Sequence, residues 1–227
     1  MNDKTENRKM IAAAVLAIAV IGFLSYFEGV LEPSYWYKSL VKALCFSSAV
    51  LIYCRLYKEN ILRVLHIKKK LPSKKLLILM CLVYLGIICA YLILRNQIDL
   101  SSIRESLLNK EGLTKENFVF IFSYIIIVNS FLEEGFFRGF LYYAFADNRK
   151  KAAGMLFGSF LFAIYHIGIV STWFHPLILI LCIAGLMGAG IFLQLICERE
   201  DNLLASWIVH GFANLAINTI GVFMLFM

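Results

Sequence analysis

The chain has 227 residues, of which 61% are hydrophobic, with a mean hydropathy of +0.78. A soluble domain of this length has no interior large enough for that much apolar surface, so a soluble globular enzyme is excluded. The net charge of +7 does not point to nucleic acid, because the basic residues cluster between apolar runs, where the positive-inside effect accounts for them.

Taken in chain order, the apolar windows predict an all-α polytopic membrane helix bundle. It has about seven transmembrane helices, with six to eight as the range. The spans fall near 10–31, 36–57, 76–94, 118–145, 152–170, 177–197 and 203–226. No alternation over about 10 residues suggests a barrel. The basic start (Lys4, Arg8, Lys9) precedes an apolar run too long for a signal-peptide core, so the first span is read as retained.

The loop 58–75 carries Lys58, Arg63, Lys68, Lys69, Lys70, Lys74 and Lys75 against Glu59, and is assigned to the cytoplasm. There it touches anionic headgroups. The loop 95–117 balances its charges and is assigned to the outside. The turn Asp147–Lys151 is basic, hence inside again, and the N-terminus is cytoplasmic. The acidic stretch Glu198-Arg-Glu-Asp201 runs against this pattern, although acids count little in the rule.

Cys45, Cys54, Cys81, Cys89, Cys182 and Cys197 lie in or beside apolar runs without a Cys-x-x-Cys pair, and read as small buried hydrophobes. His66 and His175 fall in loops. The first three spans show no intramembrane charge cluster. The chain is therefore divided into N-terminal helices and loops, 1–117, and a functional core, 118–227. The Gly-rich stretch Gly185–Gly190 fits close helix packing.

The fourth span holds Phe131-Leu-Glu-Glu-Gly-Phe-Phe-Arg-Gly-Phe140. Charges at membrane depth cost about 2.5–3.5 kcal/mol each, so two carboxylates and a guanidinium there imply use. At ~100° per residue, Glu134 and Arg138 share a face and are expected to pair, while Glu133 points elsewhere and is left for chemistry.

Residues 145, 151 and 202 serve as inner ends of spans four, five and seven. A rise of ~1.5 Å per residue then puts Glu133 and Asn214 roughly 18 Å deep, His166 roughly 22 Å and His210 roughly 12 Å. A glutamate, two histidines and an asparagine near one level can hold and polarise water for hydrolysis. As bland readings, Glu134–Arg138 is a structural pair, each histidine an interhelical hydrogen-bonder, Asn214 and Asn218 helix–helix glue, and Phe162 core.

The ordered set Glu133-Glu134-x-x-x-Arg138, Phe162-x-x-x-His166 and His210-x-x-x-Asn214 resembles the motifs of the CAAX protease and bacteriocin-processing family, the Abi-type intramembrane glutamic endopeptidases. The resemblance spans Phe131 to Asn214. It implies that Glu133 activates the attacking water and His166 helps position it. It further implies that His210 and Asn214 stabilise the oxyanion, Glu134 and Arg138 support the site, and Phe162 packs beside His166. The implied substrate is a membrane-associated peptide or lipidated protein, with no cofactor.

Three alternatives stand beside this reading. One is a zinc protease with ligands Glu133, His166 and His210, less favoured because no His-Glu-x-x-His helix is present. Another is a non-catalytic scaffold or bacteriocin self-immunity protein. The third is a proton-coupled transporter, disfavoured by the lack of inverted repeats. Short loops and Lys/Ile-rich usage suggest a bacterial plasma membrane. The oligomeric state is not readable from the sequence.

Overall fold

The computed structural model describes residues 3–69, 73–170 and 176–226, so Lys70 of the basic loop and the loop residue His175 lie outside the described residues. Among the described residues every regular element is a helix. The long helices are α1 (Asp3–Val30), α2 (Tyr35–Tyr57), α4 (Lys75–Leu94), α6 (Phe118–Asp147), α7 (Lys151–Val170), α8 (Pro176–Glu200) and α9 (Leu203–Phe226). Short helices α3 (Ile61–Val64) and α5 (Leu100–Glu105) sit in the two longest loops. All seven long helices are long and apolar enough to cross a membrane.

Local chemistry sets the loops. Asn60 caps α3 by accepting from the backbone N–H groups of Leu62 and Arg63, and Asp99 caps α5 through Ser102. Lys58, His66, Arg149 and Asp201 adopt left-handed backbone angles that end or turn the chain on one face of the bundle. That face is tied together by Lys9–Glu59 (2.8 Å), Arg63–Asp147 (3.4 Å), His66–Asp201 (3.0 Å) and Lys68–Asp201. Glu200 accepts from the Ser73 backbone N–H at 2.9 Å and from its hydroxyl at 2.8 Å. These contacts account for the acidic stretch 198–201: its carboxylates compensate the basic loop lying against them. The opposite face carries Lys110–Glu32 (3.4 Å), Lys38–Glu111 and a hydrogen bond from Arg104 Nε to the Met224 carbonyl (2.9 Å).

One apolar core joins α1 and α2 to α6 and α7, with Phe46 stacked on Phe136 at 4.4 Å and Tyr53 edge-on to Phe140 at 5.1 Å. The N-terminal helices thus share a core with the span that carries the charges. Glycines permit close approach between helices. A Cβ on Gly211 of α9 would lie 3.1 Å from the Ile126 carbonyl of α6, and one on Gly190 of α8 would lie 2.8 Å from Ser159 Cβ of α7. Of the Gly-rich stretch only Gly190 is used in this way; a Cβ on Gly185 or Gly188 meets nothing within 4 Å. The cysteine expectation also needs correction. All six are free, but only Cys54 and Cys197 are buried: Cys45 and Cys182 are half-buried, and Cys81 and Cys89 are exposed on α4.

Candidate active site

The span α6 is one continuous helix, yet it is not uniform. It widens into π turns at Ile125–Asn129 and Gly135–Leu141, on either side of a regular turn, Ser130–Glu134, that bears both glutamates. Changes between i→i+4 and i→i+5 pairing loosen the helical ladder, and carbonyls there take side-chain donors in addition to backbone N–H groups in a medium without water. Most come from α9. Trp207 Nε1 donates to the Ile127 carbonyl at 3.0 Å, Asn214 to Ile125 at 3.4 Å and Asn218 to Phe122 at 3.3 Å, while Ser130 within α6 donates to Ile126. The polar face of α9 is thereby locked against the irregular part of α6, and His210 is carried to the glutamates.

Glu133, Glu134 and Arg138 are 2%, 0% and 2% exposed. Arg138 Nη1 lies 3.3 Å from Glu134 Oε1, as the i,i+4 spacing predicts. The guanidinium also sits 4.2 Å from the centre of the Phe162 ring, a cation–π contact that shields it on that side. His210 Nδ1 is 2.9 Å from the same Glu134 oxygen. Since a carboxylate oxygen only accepts, the hydrogen is on Nδ1. Glu134 is therefore engaged by two basic groups and serves as the fixed member of the pair.

Glu133 is held differently. Asn129, one turn earlier, donates from Nδ2 to Glu133 Oε1 at 2.8 Å. The second oxygen, Oε2, faces His210 Nε2 at 3.7 Å and His166 Nε2 at 4.0 Å. Both separations exceed a hydrogen bond and suit one bridging water. The His166 ring is oriented by Nδ1, which donates to the Phe162 carbonyl at 2.7 Å, so the neutral ring presents the Nε2 lone pair toward Glu133. Phe162 packs on both imidazoles, with ring centres 4.5 Å from His166 and 5.9 Å from His210.

The structure brings six of the seven predicted residues into one contact network: Glu133, Glu134, Arg138, Phe162, His166 and His210. Asn214 lies one turn along α9 from His210, but its hydrogen bond goes to the Ile125 carbonyl and not to Glu133. Among the described residues, no three His, Cys, Asp or Glu side chains are arranged to hold a metal ion.

Two participants were missed. Lys42 of α2 is 8% exposed and donates to Asn129 Oδ1 at 3.0 Å, so an early span without a charge cluster still brings one charge to the site. Its signal was a cation, Lys42, lying between the ends of the apolar run 36–57, further from them than Lys38 or Arg55. Asn129 was signalled by its i,i+4 relation to Glu133.

A cavity of about 290 Å³ lies on the basic-loop side of the cluster. Its walls run from His66, Asp147, Lys151 and Asp201 at the loops to the buried Arg138 and Gln194. Arg138 is thus shared between the cavity and the carboxylate pair.

No curated protein and no solved structure matches the chain. Residues 115–216 match the family described as Rce1-like, type II CAAX prenyl endopeptidase Rce1-like, a range that holds all seven predicted site residues and leaves Lys42 outside. That segment, with its paired glutamates on one membrane helix and its histidines on two others, is thus similar to the CAAX protease and bacteriocin-processing family.

Proposed function

We propose that this protein is an intramembrane endopeptidase that hydrolyses a peptide bond in a membrane-associated substrate with a Glu133-activated water. The match of residues 115–216 to the Rce1-like family supports a membrane protease of the CAAX type. The observation that carries the mechanism is the free Glu133 oxygen, one water's span from two imidazole nitrogens.

A water seated there donates one hydrogen to Glu133 Oε2 and the other to His166 Nε2, with a lone pair left for the scissile carbonyl. Glu133 takes the proton as the C–O bond forms. The carbonyl oxygen becomes an oxyanion and, on collapse, the C–N bond breaks and Glu133 returns the proton to the leaving amine. His210 is the nearest donor for the oxyanion. Because Nδ1 already donates to Glu134, a hydrogen on Nε2 makes the ring a cation, whose charge Glu134 balances and the oxyanion neutralises. Asn214, on the same face of α9, is the second candidate donor.

The basic loop places the N-terminus and the cavity mouth in the cytoplasm in this reading. Substrate then approaches from that side, past Arg138.

The test uses purified protein in lipid nanodiscs and a farnesylated peptide ending in a Cys-aliphatic-aliphatic-X motif, with products identified by mass spectrometry. The wild type is expected to release the C-terminal tripeptide, and Glu133→Gln to lose about 10²–10⁴-fold in kcat without a change in thermal stability. Undiminished turnover by the folded variant overturns the mechanism. A wild type that leaves this peptide intact overturns the CAAX-type substrate.

A further inference from the structure

Lys42 has no place in the chemistry described above, and its position is costly. An ammonium in the membrane interior needs a counter-charge or complete hydrogen bonding. Its sole hydrogen bond among the described contacts is to Asn129 Oδ1 at 3.0 Å, and its ammonium also lies 5.1 Å from the centre of the Tyr165 ring. The amide of Asn129 then has only one consistent orientation. Its oxygen accepts from Lys42, and its nitrogen donates to Glu133 Oε1 at 2.8 Å. The chain Lys42–Asn129–Glu133 runs in one direction, from a cation in α2 to one oxygen of the carboxylate in α6.

We propose that Lys42 is a positioning residue for the peptidase reaction, acting through Asn129 to bind Glu133 Oε1 and so to leave Oε2 as the oxygen that takes the proton. This rests on the endopeptidase reading above. Without a fixed partner on Oε1, the carboxylate can rotate about its last torsion and present either oxygen, or neither, to a water held by His166. A neutral amide would orient Glu133 only if its own oxygen were held, and Lys42 holds it with a charge-assisted bond. The groups facing Glu133 from elsewhere do not duplicate this. His166 and His210 lie toward Oε2, and Arg138 pairs with Glu134. The site is therefore completed by a helix outside the family-matched segment 115–216.

The test is a kinetic cycle on the farnesylated peptide with Lys42→Met, Asn129→Ala and the double variant, alongside Glu133→Gln. Lys42→Met is expected to lower kcat about 10- to 100-fold, the worth of a hydrogen bond to a charged group, with KM within about threefold. Lys42→Arg should recover most of the loss. Asn129→Ala should lose as much, and the double variant no more than Asn129→Ala alone, because both substitutions break one chain. Lys42→Gln, which keeps a donor without the charge, replaces Lys42→Met if the latter does not fold.

Losses that multiply in the double variant overturn the relay. So does an unchanged kcat for Lys42→Met while Glu133→Gln is inactive, a result that leaves the endopeptidase reading standing. Full activity in Glu133→Gln overturns the Glu133 mechanism and this inference with it.

Discussion

Two clusters of charge in this protein use the same residue types under opposite physics. At the basic-loop face, Arg63, Lys68, His66 and Asp201 pair in the open, and Asp201 is 61% exposed. At the centre of the bundle, Glu133, Glu134, Arg138 and Lys42 are all at or below 8% exposed. Exposed pairs are screened and contribute about 0–1 kcal/mol each. Buried ones must be matched group by group, because removal of one partner strands the other at a cost of about 3–5 kcal/mol. The surface cluster therefore fixes which loops lie together, whereas the buried cluster fixes individual atoms. Reaction chemistry needs the second kind of precision.

Substitutions can break that contrast or sharpen it. The largest effect is expected on turnover from Glu133→Gln, about 10²–10⁴-fold with the fold retained, since the amide keeps the volume and the Asn129 partner. Next is Arg138→Met, which leaves Glu134 buried with His210 as its remaining basic partner. It should destabilise by about 3–5 kcal/mol, read as a lowered midpoint of thermal unfolding in nanodiscs. Glu134→Gln combined with Arg138→Met should recover part of that loss, because no charge is then stranded.

Trp207→Phe is smaller. It strips one donor from the Ile127 carbonyl in the π turn and should cost about 1–3 kcal/mol, with the accompanying slackening of α9 visible as faster hydrogen exchange around His210.

The smallest is Asp201→Asn, expected within about 1 kcal/mol and diminished further by salt. The Lys68 hydrogen bond, against a slight opposing effect of burial and with further help from the Lys68 and His66 charges, holds the Asp201 carboxyl below its ordinary range. A carboxylate with a depressed folded-state pKa stabilises above its unfolded value and loses that contribution as pH falls through the folded one. Wild type and Asp201→Asn should thus differ at neutral pH and converge in acid. A loss from Asp201→Asn as large as that from Arg138→Met would erase the distinction between the two clusters.

Part of the site was legible because helical spacing is local. Glu134 and Arg138 pair at i,i+4, and the ordered motifs on three spans place Glu133, His166 and His210 at similar depth before any coordinates are considered. The depth estimate rests on a regular rise, and the two π turns in α6 lie beyond it. So does the engagement of Asn214 with the Ile125 carbonyl. A lysine inside α2 gives no hint of which helix it will meet, since partners separated by 87 positions are joined only by packing.

The sequence by itself determined the all-helical membrane bundle, the seven spans and the pairing of Arg138 with Glu134 rather than with Glu133. Each of these follows from hydropathy over about 20 residues or from the angle between near neighbours on one helix. Only the tertiary structure decided which oxygen of Glu133 is free, which nitrogen of each histidine faces it, and that α2 holds the other oxygen through Lys42 and Asn129. Those outcomes depend on contacts between helices, set by aromatic packing around Phe46 and Phe136 and by donors on α9 that meet carbonyls of a widened turn.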